Sequence, residues 1–200
     1  MNDKFGDGRD PYFYPGIKVL RNRLNIHEAA GLLEAELAIT SLRAATLELG
    51  TAKMGLPWLC AIHHGLFQDI YDWAGQLRTV DIYQDDTRYC HFDYIEREGN
   101  AVMQQLEDEN YLQGLSKEEI CPRLADYYAD INMLHPFREG NGRAQRIFFE
   151  QLMVHAGYDP RWQPVERDAW LAASRAGSVG HLEPLTALFM QVVNEPGELA

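Results

Sequence analysis

The sequence has few positive charges, few cysteines and no long apolar run, and each shortage excludes a class of protein. Its 200 residues carry 18 Lys and Arg against 30 Asp and Glu, a formal net charge of −12. This deficit argues against duplex nucleic acid or an anionic membrane surface as the main partner, because both require clustered basic side chains. Small anions can still bind in local basic pockets.

The three cysteines, Cys60, Cys90 and Cys121, are widely spaced and form no Cys-x-x-Cys pair. An odd, scattered set indicates reduced thiols rather than a disulfide framework. The polar N-terminus, rich in Gly and Pro, is not typical of a secretory signal. No run approaches the roughly 18–20 apolar residues that span a bilayer. We therefore expect a cytoplasmic protein without membrane contact.

Apolar residues recur at intervals of three and four, which predicts a mainly α fold in a single domain over residues 1–200. The core is expected over about 12–158, with a C-terminal helical extension over about 162–200. The predicted helices, in chain order, are 26–49 with Asn25 as cap and Gly50 as stop, 56–71, 94–111, 117–134, 140–157, 167–176 and 182–194.

The segment between the second and third predicted helices differs from the rest of the chain. Strand-forming residues there flank a polar Gln-Asp-Asp-Thr tip. This pattern predicts one β-hairpin at about 82–92.

The helix predicted over 117–134 has clear boundary signals. Ser116 and Glu119 have the spacing of a capping box at its start. Pro136 disfavours helical geometry at the preceding residue, so this helix should end near Leu134.

The stretch from His135 to Arg146, HPFREGNGRAQR, combines a titratable base, a carboxylate, two glycines around an amide and two arginines. Gly140, Asn141 and Gly142 open a predicted helix, where free backbone N–H groups at the positive end of the dipole form a site for phosphate. The two arginines are three residues apart and hence on one helical face, where they can clamp further phosphate oxygens.

The other side chains of this stretch supply the remaining parts of an in-line nucleotidyl transfer. Glu139 is placed to bind Mg²⁺, which prefers carboxylate and phosphate oxygens. His135, with an ordinary pKa near ~6.5, can accept a proton from an incoming hydroxyl. Taken singly, these residues also fit a capping histidine, a surface Glu139–Arg143 ion pair and a glycine turn. Their coincidence in one window favours a functional site.

The twelve residues match every specified position of the Fic family signature, His-Pro-Phe-x-(Asp/Glu)-Gly-Asn-Gly-Arg-x-x-Arg. The segments DPYFYPGIKVLRNRLNI, DIYDWAGQLRTVDIY and IFFEQLMVHAGY are also similar to bacterial Fic toxins, so the resemblance extends from about Tyr12 to Tyr158. It implies a Fic-type helical domain with one β-hairpin flap. It also implies a protein adenylyltransferase, an enzyme that transfers AMP from ATP to a Ser, Thr or Tyr hydroxyl of another protein and releases pyrophosphate.

The resemblance implies a role for each signature residue. His135 would deprotonate the target hydroxyl, and Glu139 would hold Mg²⁺ between the α- and β-phosphates. Arg143 would neutralise the β-phosphate and Arg146 the γ-phosphate. The residues implied to bind ATP are Gly140, Asn141, Gly142, Arg143 and Arg146.

The hairpin would be the flap that docks a segment of the target protein by strand addition. The resemblance places this docking edge at Ile82, Tyr83, Gln84 and Asp85. Related flaps often carry Lys-Gly where this chain has Gln84-Asp85, so no lysine contact is expected there.

Many Fic proteins are inhibited by a helix bearing (Ser/Thr)-x-x-x-Glu-(Gly/Asn), whose Glu pairs with the second signature arginine. No Ser or Thr in this chain has Glu four residues later. The resemblance therefore implies a toxin whose separate small antitoxin supplies this helix and contacts Arg146. Similar toxins modify the ATPase subunits of DNA gyrase (gyrase B) and topoisomerase IV, which become the candidate targets, with no direct contact to nucleic acid.

Two alternatives remain open on the sequence. A Fic-fold transferase can use a nucleotide donor other than ATP, and a non-catalytic module can use the hairpin edge and the anion site only to dock proteins. A metal-hydrolase site has no support, since His63 and His64 are adjacent and no His-Glu-x-x-His occurs. The residues that hold adenine are not evident from the sequence.

Overall fold

Seven helices make up most of the fold that the computed structural model describes for residues 10–50, 54–84 and 87–197. The helices are α1 Ala29–Ala44, α2 Leu56–Phe67, α3 Ile95–Asp108, α4 Lys117–Leu134, α5 Asn141–His155, α6 Arg167–Gly177 and α7 Glu183–Val192. The strands are β1 Tyr83–Gln84, paired antiparallel with β2 Thr87–Arg88, and β3 Asp159–Pro160, paired antiparallel with β4 Val193–Asn194. The predicted mainly α fold with one β-hairpin is confirmed. Over these ranges, no helix is both long and apolar enough to cross a bilayer.

Helices α4 and α5 lie at the centre of the packing. Helix α4 contacts α3, α5, α6 and α7, while α2 packs against α1 and α5. Their contacts are strongly apolar, and the fully buried aromatic side chains include Phe67, Phe137, Phe148, Phe149 and Phe189. Burying one such side chain typically contributes about 1.5–3 kcal/mol. The loop between α4 and α5 is therefore anchored at both ends in the core.

The predicted boundaries of α4 are confirmed. The Ser116 N–H donates to Glu119 Oε2 at 2.9 Å, which completes one half of the capping box. The helix ends at Leu134, and His135 follows with φ 44° and ψ 60°. Right-handed helical geometry is disfavoured before Pro136, so the chain turns away from the helix axis at this point.

The predicted start of the first helix is wrong. Helix α1 begins at Ala29, and Asn25 does not cap it but has a left-handed φ of 54°. The cause is Asn22, whose side chain bonds both the N–H and the C=O of Ile26, at 2.9 and 2.7 Å. These bonds hold Ile26 in a turn, so the helix starts three residues later.

The predicted end of the first helix is also wrong, because α1 stops at Ala44 rather than at Gly50. The Gly50 N–H donates to Gln151 Oε1 at 3.3 Å, and its C=O lies 2.9 Å from His155 Nε2. Side chains of α5 therefore hold the end of this segment in place of further helical hydrogen bonds.

Strands β3 and β4 are missing from the sequence prediction, which instead continued the last helix to residue 194. They place Asp159 opposite Asn194 and Pro160 opposite Val193. Strands of two residues carry no periodic pattern, and their register depends on where the rest of the fold places them.

Candidate active site

His135 opens the signature loop, which we define as residues 135–140. Its ring stacks on Tyr89 with centroids 3.9 Å apart, and the residue is 7% exposed. Nδ1 lies 3.3 Å from the backbone C=O of Asn132 and therefore carries the proton. Nε2 is buried with no hydrogen-bond partner among the described residues. Nε2 is thus an unprotonated nitrogen that can accept a proton, and Tyr89 covers the ring that carries it.

Two buried histidines of the site are neutral near pH 7. Burial, followed by the positive charge of Arg78, lowers the pKa of His135 to about 3. Burial also lowers the pKa of His63 to about 4, against the opposing effect of its hydrogen bond to the Glu139 backbone. His135 is therefore in the form that a general base requires across the physiological range.

These two histidines should make the fold sensitive to acid. Each takes up a proton below a pKa of about 6.5 when unfolded, but only near pH 3–4 when folded. Stability is therefore lost as the pH falls from about 6.5 towards 4, by about 2 kcal/mol per histidine at about pH 5. The free energy of unfolding is measured with urea at about pH 8 and at about pH 5. We expect it to fall by about 2 kcal/mol less in His135→Asn than in the wild type, because the variant lacks one of the two histidines. Equal losses in wild type and variant would contradict this expectation.

Arg78 joins the signature loop to the hairpin, and sequence reasoning missed it. Its side chain is fully buried, and its N–H donates to the C=O of Pro136 at 2.8 Å. The guanidinium donates to four backbone carbonyls at 2.5–3.3 Å, those of Val80, Cys90, Leu134 and His135. Charged donors make strong hydrogen bonds, so Arg78 fixes the backbone of His135 relative to the hairpin. Arg78 lies in the segment DIYDWAGQLRTVDIY, which resembles Fic toxins, but its residue type and spacing there give no signal of such a role.

Asn141 shapes the signature loop through its side chain. Its Oδ1 accepts from the N–H of Phe137 at 2.8 Å, and its Nδ2 donates to the C=O of Phe137 at 2.7 Å. Phe137 in turn stacks on His63 with centroids 3.9 Å apart. The side chain of Asn141 is thus occupied by the loop, and only its backbone N–H lies at the helix start.

His63 is a core residue that supports the loop from below. It is fully buried, its Nδ1 accepts from the N–H of Gly75 at 2.8 Å, and its Nε2 is 3.0 Å from the C=O of Glu139. Because Nδ1 is the acceptor, Nε2 carries the proton and donates to Glu139. The adjacent His64 is exposed, so the two histidines have separate surroundings.

The two signature glycines differ in what a side chain would meet. Gly140 has a left-handed φ of 80°, and an added Cβ would lie 2.2 Å from Cζ of Phe67. Gly142 faces open space, with nothing within 4 Å of an added Cβ. Gly140 is thus required by the turn and by close packing, while Gly142 leaves the helix start accessible.

We expect Gly140→Ala to lower the free energy of unfolding by about 3 kcal/mol, from left-handed strain and the clash with Phe67. The melting temperature should fall by about 6–12 °C. The matched control is Gly142→Ala, which should be neutral or stabilising by up to about 1 kcal/mol. Similar melting temperatures for the two variants in a calorimetric scan would overturn the distinction.

The start of α5 offers backbone donors to an anion. The first helical bond runs from Ala144 N to Gly140 O, so the N–H groups of Asn141, Gly142 and Arg143 precede the helical ladder. The Gly140 N–H, in contrast, donates to its neighbour Glu139 Oε1 at 2.9 Å. Three N–H groups and the helix dipole therefore favour negative charge here.

The two signature arginines take different partners. The Arg143 guanidinium lies 4.7 Å from the ring centroid of Phe67 and bonds Glu36 of α1. Arg146 is exposed, and its guanidinium lies 4.7 Å from the ring centroid of Trp162. Both arginines belong to α5, where Arg143 packs towards α1 and Arg146 packs towards the C-terminal segment.

Glu139 is the signature carboxylate at the mouth of the site. Its side chain is about one-third exposed, and Oε1 lies 3.7 Å from Arg143 Nη2. No group of three or more His, Cys, Asp or Glu in the described ranges can hold a metal ion by itself. A single carboxylate still suits Mg²⁺, which is often bound by one or two carboxylates together with substrate phosphates.

The hairpin that was predicted as the flap is present but short. Tyr83 pairs with Arg88, and Gln84 pairs with Thr87. Ile82 is buried, whereas Tyr83 and Gln84 are half-buried. Gln84 Oε1 accepts from the hydroxyl of Tyr89 at 2.8 Å, so β1 is tied to the residue that covers His135.

One predicted flap residue, Asp85, lies outside the described residues.

A cavity of about 750 Å³ adjoins the site. Its walls come from the segment 10–21, from α1, from Ile82 and Tyr83, and from Glu139 and Arg143. Neither His135 nor Tyr89, which stacks on the His135 ring, lines this cavity.

Comparison with known proteins identifies the family. A model described as the Fic/DOC family matches residues 54–153. The chain is 60% identical over 198 residues to "Probable protein adenylyltransferase Fic" of Salmonella typhimurium strain LT2, with 99% of both chains covered. The chain therefore belongs to the Fic/DOC family. The prediction of an enzyme of the nucleotidyltransferase class, a protein adenylyltransferase, is confirmed.

Solved structures of Fic domains share the fold. BepC of Bartonella tribocorum, which holds AMPPNP, has a TM-score of 0.89 at 25% identity, covering 94% of this chain and 99% of that one. The N-terminal Fic domain of an effector protein of Bartonella quintana, which holds ADP, has a TM-score of 0.85 at 29% identity, covering 92% and 94%.

Proposed function

We propose that this enzyme transfers AMP from ATP to the hydroxyl of a Ser, Thr or Tyr in a target protein and releases pyrophosphate. The observation that carries the proposal is a neutral base at the beginning of the signature loop and an anion site directly after the end of that loop. His135 Nε2 has no partner among the described residues, and the start of α5 follows six residues later. The nucleotides bound by the two Bartonella structures support ATP as the donor.

In the proposed reaction, His135 Nε2 accepts the proton of the target hydroxyl as that oxygen attacks the α-phosphorus. The bond from the α-phosphorus to the leaving oxygen breaks, and pyrophosphate departs. Arg143 binds the β-phosphate and Arg146 the γ-phosphate, while the N–H groups near Gly142 hold further oxygens. Because Nε2 is buried under Tyr89, that ring has to move aside before a hydroxyl can reach the base.

Mg²⁺ would be held by Glu139 together with phosphate oxygens and would supply charge neutralisation. The exposure of Glu139 and its place beside Arg143 fit this role.

The edge of β1 is the proposed docking site for the target segment. Tyr83 and Gln84 would offer backbone groups to an added strand, while Ile82 anchors β1 in the core. A backbone clamp presents a side-chain hydroxyl without reading much of the neighbouring sequence.

The donor is tested by calorimetric titration with ATP, GTP, UTP and CDP-choline. Tightest binding of ATP supports adenylyl transfer, and a preference for any other nucleotide would replace it with the alternative donor. Incubation with labelled ATP and a cell lysate, followed by mass spectrometry for an AMP adduct on proteins, tests the transfer itself. Binding without any adduct would favour the non-catalytic docking module.

We also propose that the enzyme is a cytoplasmic toxin with a separate small antitoxin. The absence of the (Ser/Thr)-x-x-x-Glu-(Gly/Asn) pattern from the sequence supports this. Arg146 is exposed and accessible to the antitoxin's glutamate. The ATPase subunits of gyrase and topoisomerase IV are the proposed targets.

We expect expression of the enzyme to arrest growth and co-expression of the antitoxin to relieve the arrest. AMP should be found on these topoisomerase subunits during the arrest. Unmodified subunits under toxic expression would exclude them as targets.

We also propose that residues 1–200 form one domain. The packing of α6 and α7 on α4 supports this organisation.

A further inference from the structure

Glu36 is a buried carboxylate that the signature does not include. It lies in the middle of α1, and its side chain is 6% exposed. One oxygen accepts from the hydroxyl of Tyr71, and the other accepts from Nη2 of Arg143, 107 residues further along the chain. A charge at this depth requires such partners, because leaving it unpaired costs several kcal/mol.

The hydroxyl of Tyr71 stays protonated and can therefore donate to the Glu36 carboxylate. Burial, followed by the charge of Glu36, raises the pKa of the Tyr71 hydroxyl, which therefore remains a donor. Thr40, one turn further along α1, donates to the Glu36 C=O at 2.6 Å. The carboxylate is consequently held from the segment that follows α2, through the hydroxyl of Tyr71.

Arg143 is enclosed by groups from three parts of the fold. Besides Glu36, its Nη1 lies 3.5 Å from Thr40 Oγ1, and Nη2 lies 3.7 Å from Glu139 Oε1. The ring of Phe67 covers one face of the guanidinium at 4.7 Å. A flexible side chain is thus restricted to one place beside the start of α5.

The guanidinium keeps donors for a ligand while it is held in this way. Arginine has five N–H groups, and the contacts in the described ranges use only Nη1 and Nη2. Arg143 can therefore contact an anion without releasing Glu36.

We propose that Glu36 is a positioning residue, which holds Arg143 beside the helix start so that the arginine is already placed for the β-phosphate of ATP. This inference rests on the proposed function and deepens it. An arginine that is ordered in advance loses less conformational entropy when it binds phosphate. Glu36 acts through Arg143 and does not itself touch the nucleotide.

The test is ATP binding by Glu36→Gln, measured by calorimetry on folded protein. Glutamine keeps the shape of the side chain but removes the charge that holds the guanidinium. We expect ATP to bind about tenfold more weakly, within the range of coupling for residues in contact. The matched control is Glu34→Gln, an exposed residue on the same helix, which should bind ATP as the wild type does.

A double-mutant cycle separates positioning from a purely structural ion pair. In an Arg143→Gln background, Glu36→Gln should produce no further loss of ATP affinity, because the residue it acts through is absent. A lower melting temperature with unchanged ATP affinity in Glu36→Gln would overturn the proposal, as would equal losses in both backgrounds. Failure of the wild type to bind ATP would instead overturn the proposed function.

Discussion

Replacing His135 with alanine is expected to lower the rate of AMP transfer by about 10²–10⁴, or about 3–5 kcal/mol in the barrier. The variant lacks the only proposed acceptor for the proton of the target hydroxyl. ATP affinity should change little, because the phosphates are assigned to the start of α5. Single-turnover transfer of labelled AMP and calorimetric ATP binding measure the two quantities separately.

His64→Ala is the matched control for this loss. His64 is exposed on α2 and has no place in the proposed site, so the variant should retain the wild-type rate. Transfer by His135→Ala at the wild-type rate would remove the general base from the mechanism. Loss of ATP binding in the same variant would show that His135 shapes the nucleotide site instead.

Arg78→Met is expected to produce the largest loss of stability, about 3–5 kcal/mol in the free energy of unfolding. Methionine keeps most of the apolar stem, but four backbone carbonyls lose their donor, and those of Leu134 and His135 are in buried residues. The melting temperature should fall by about 6–20 °C. Chemical denaturation followed by circular dichroism measures the loss.

Arg97→Met provides the comparison for Arg78→Met. Arg97 is largely exposed on α3 and pairs with the neighbouring Glu98, so its replacement should stay within about 0.5 kcal/mol of the wild type. A loss below about 1 kcal/mol for Arg78→Met would mean that water replaces the guanidinium at these carbonyls.

The boundaries of the helices show where local pattern is sufficient. Helix α4 begins after a capping box and ends before Pro136, and both signals act within a few residues, so its limits were predictable. Helix α1 has an apolar stripe that continues past Ala44, yet the segment after Ala44 is not helical, and its end at Gly50 is bonded to Gln151 and His155 from a distant part of the chain. Distant partners of this kind leave no mark on local periodicity.

The candidate site divides in the same way. The signature predicted candidate roles for the base, the carboxylate, the glycines and the arginines, because these roles follow from residue type and spacing. It did not predict that Asn141 bonds Phe137 rather than facing the helix start, or that Tyr89 covers His135. Those contacts depend on how the loop and the hairpin are packed.

By itself, the sequence determined a mainly helical protein of net charge −12 whose candidate catalytic and phosphate-binding residues are gathered in one twelve-residue stretch. Periodicity, capping and the proline after His135 encode such features locally. Only the tertiary structure decided that Arg78 ties this stretch to the hairpin and that Glu36 holds Arg143. The physical reason is burial, since a charge removed from water is stable only beside partners that the fold brings from distant parts of the chain.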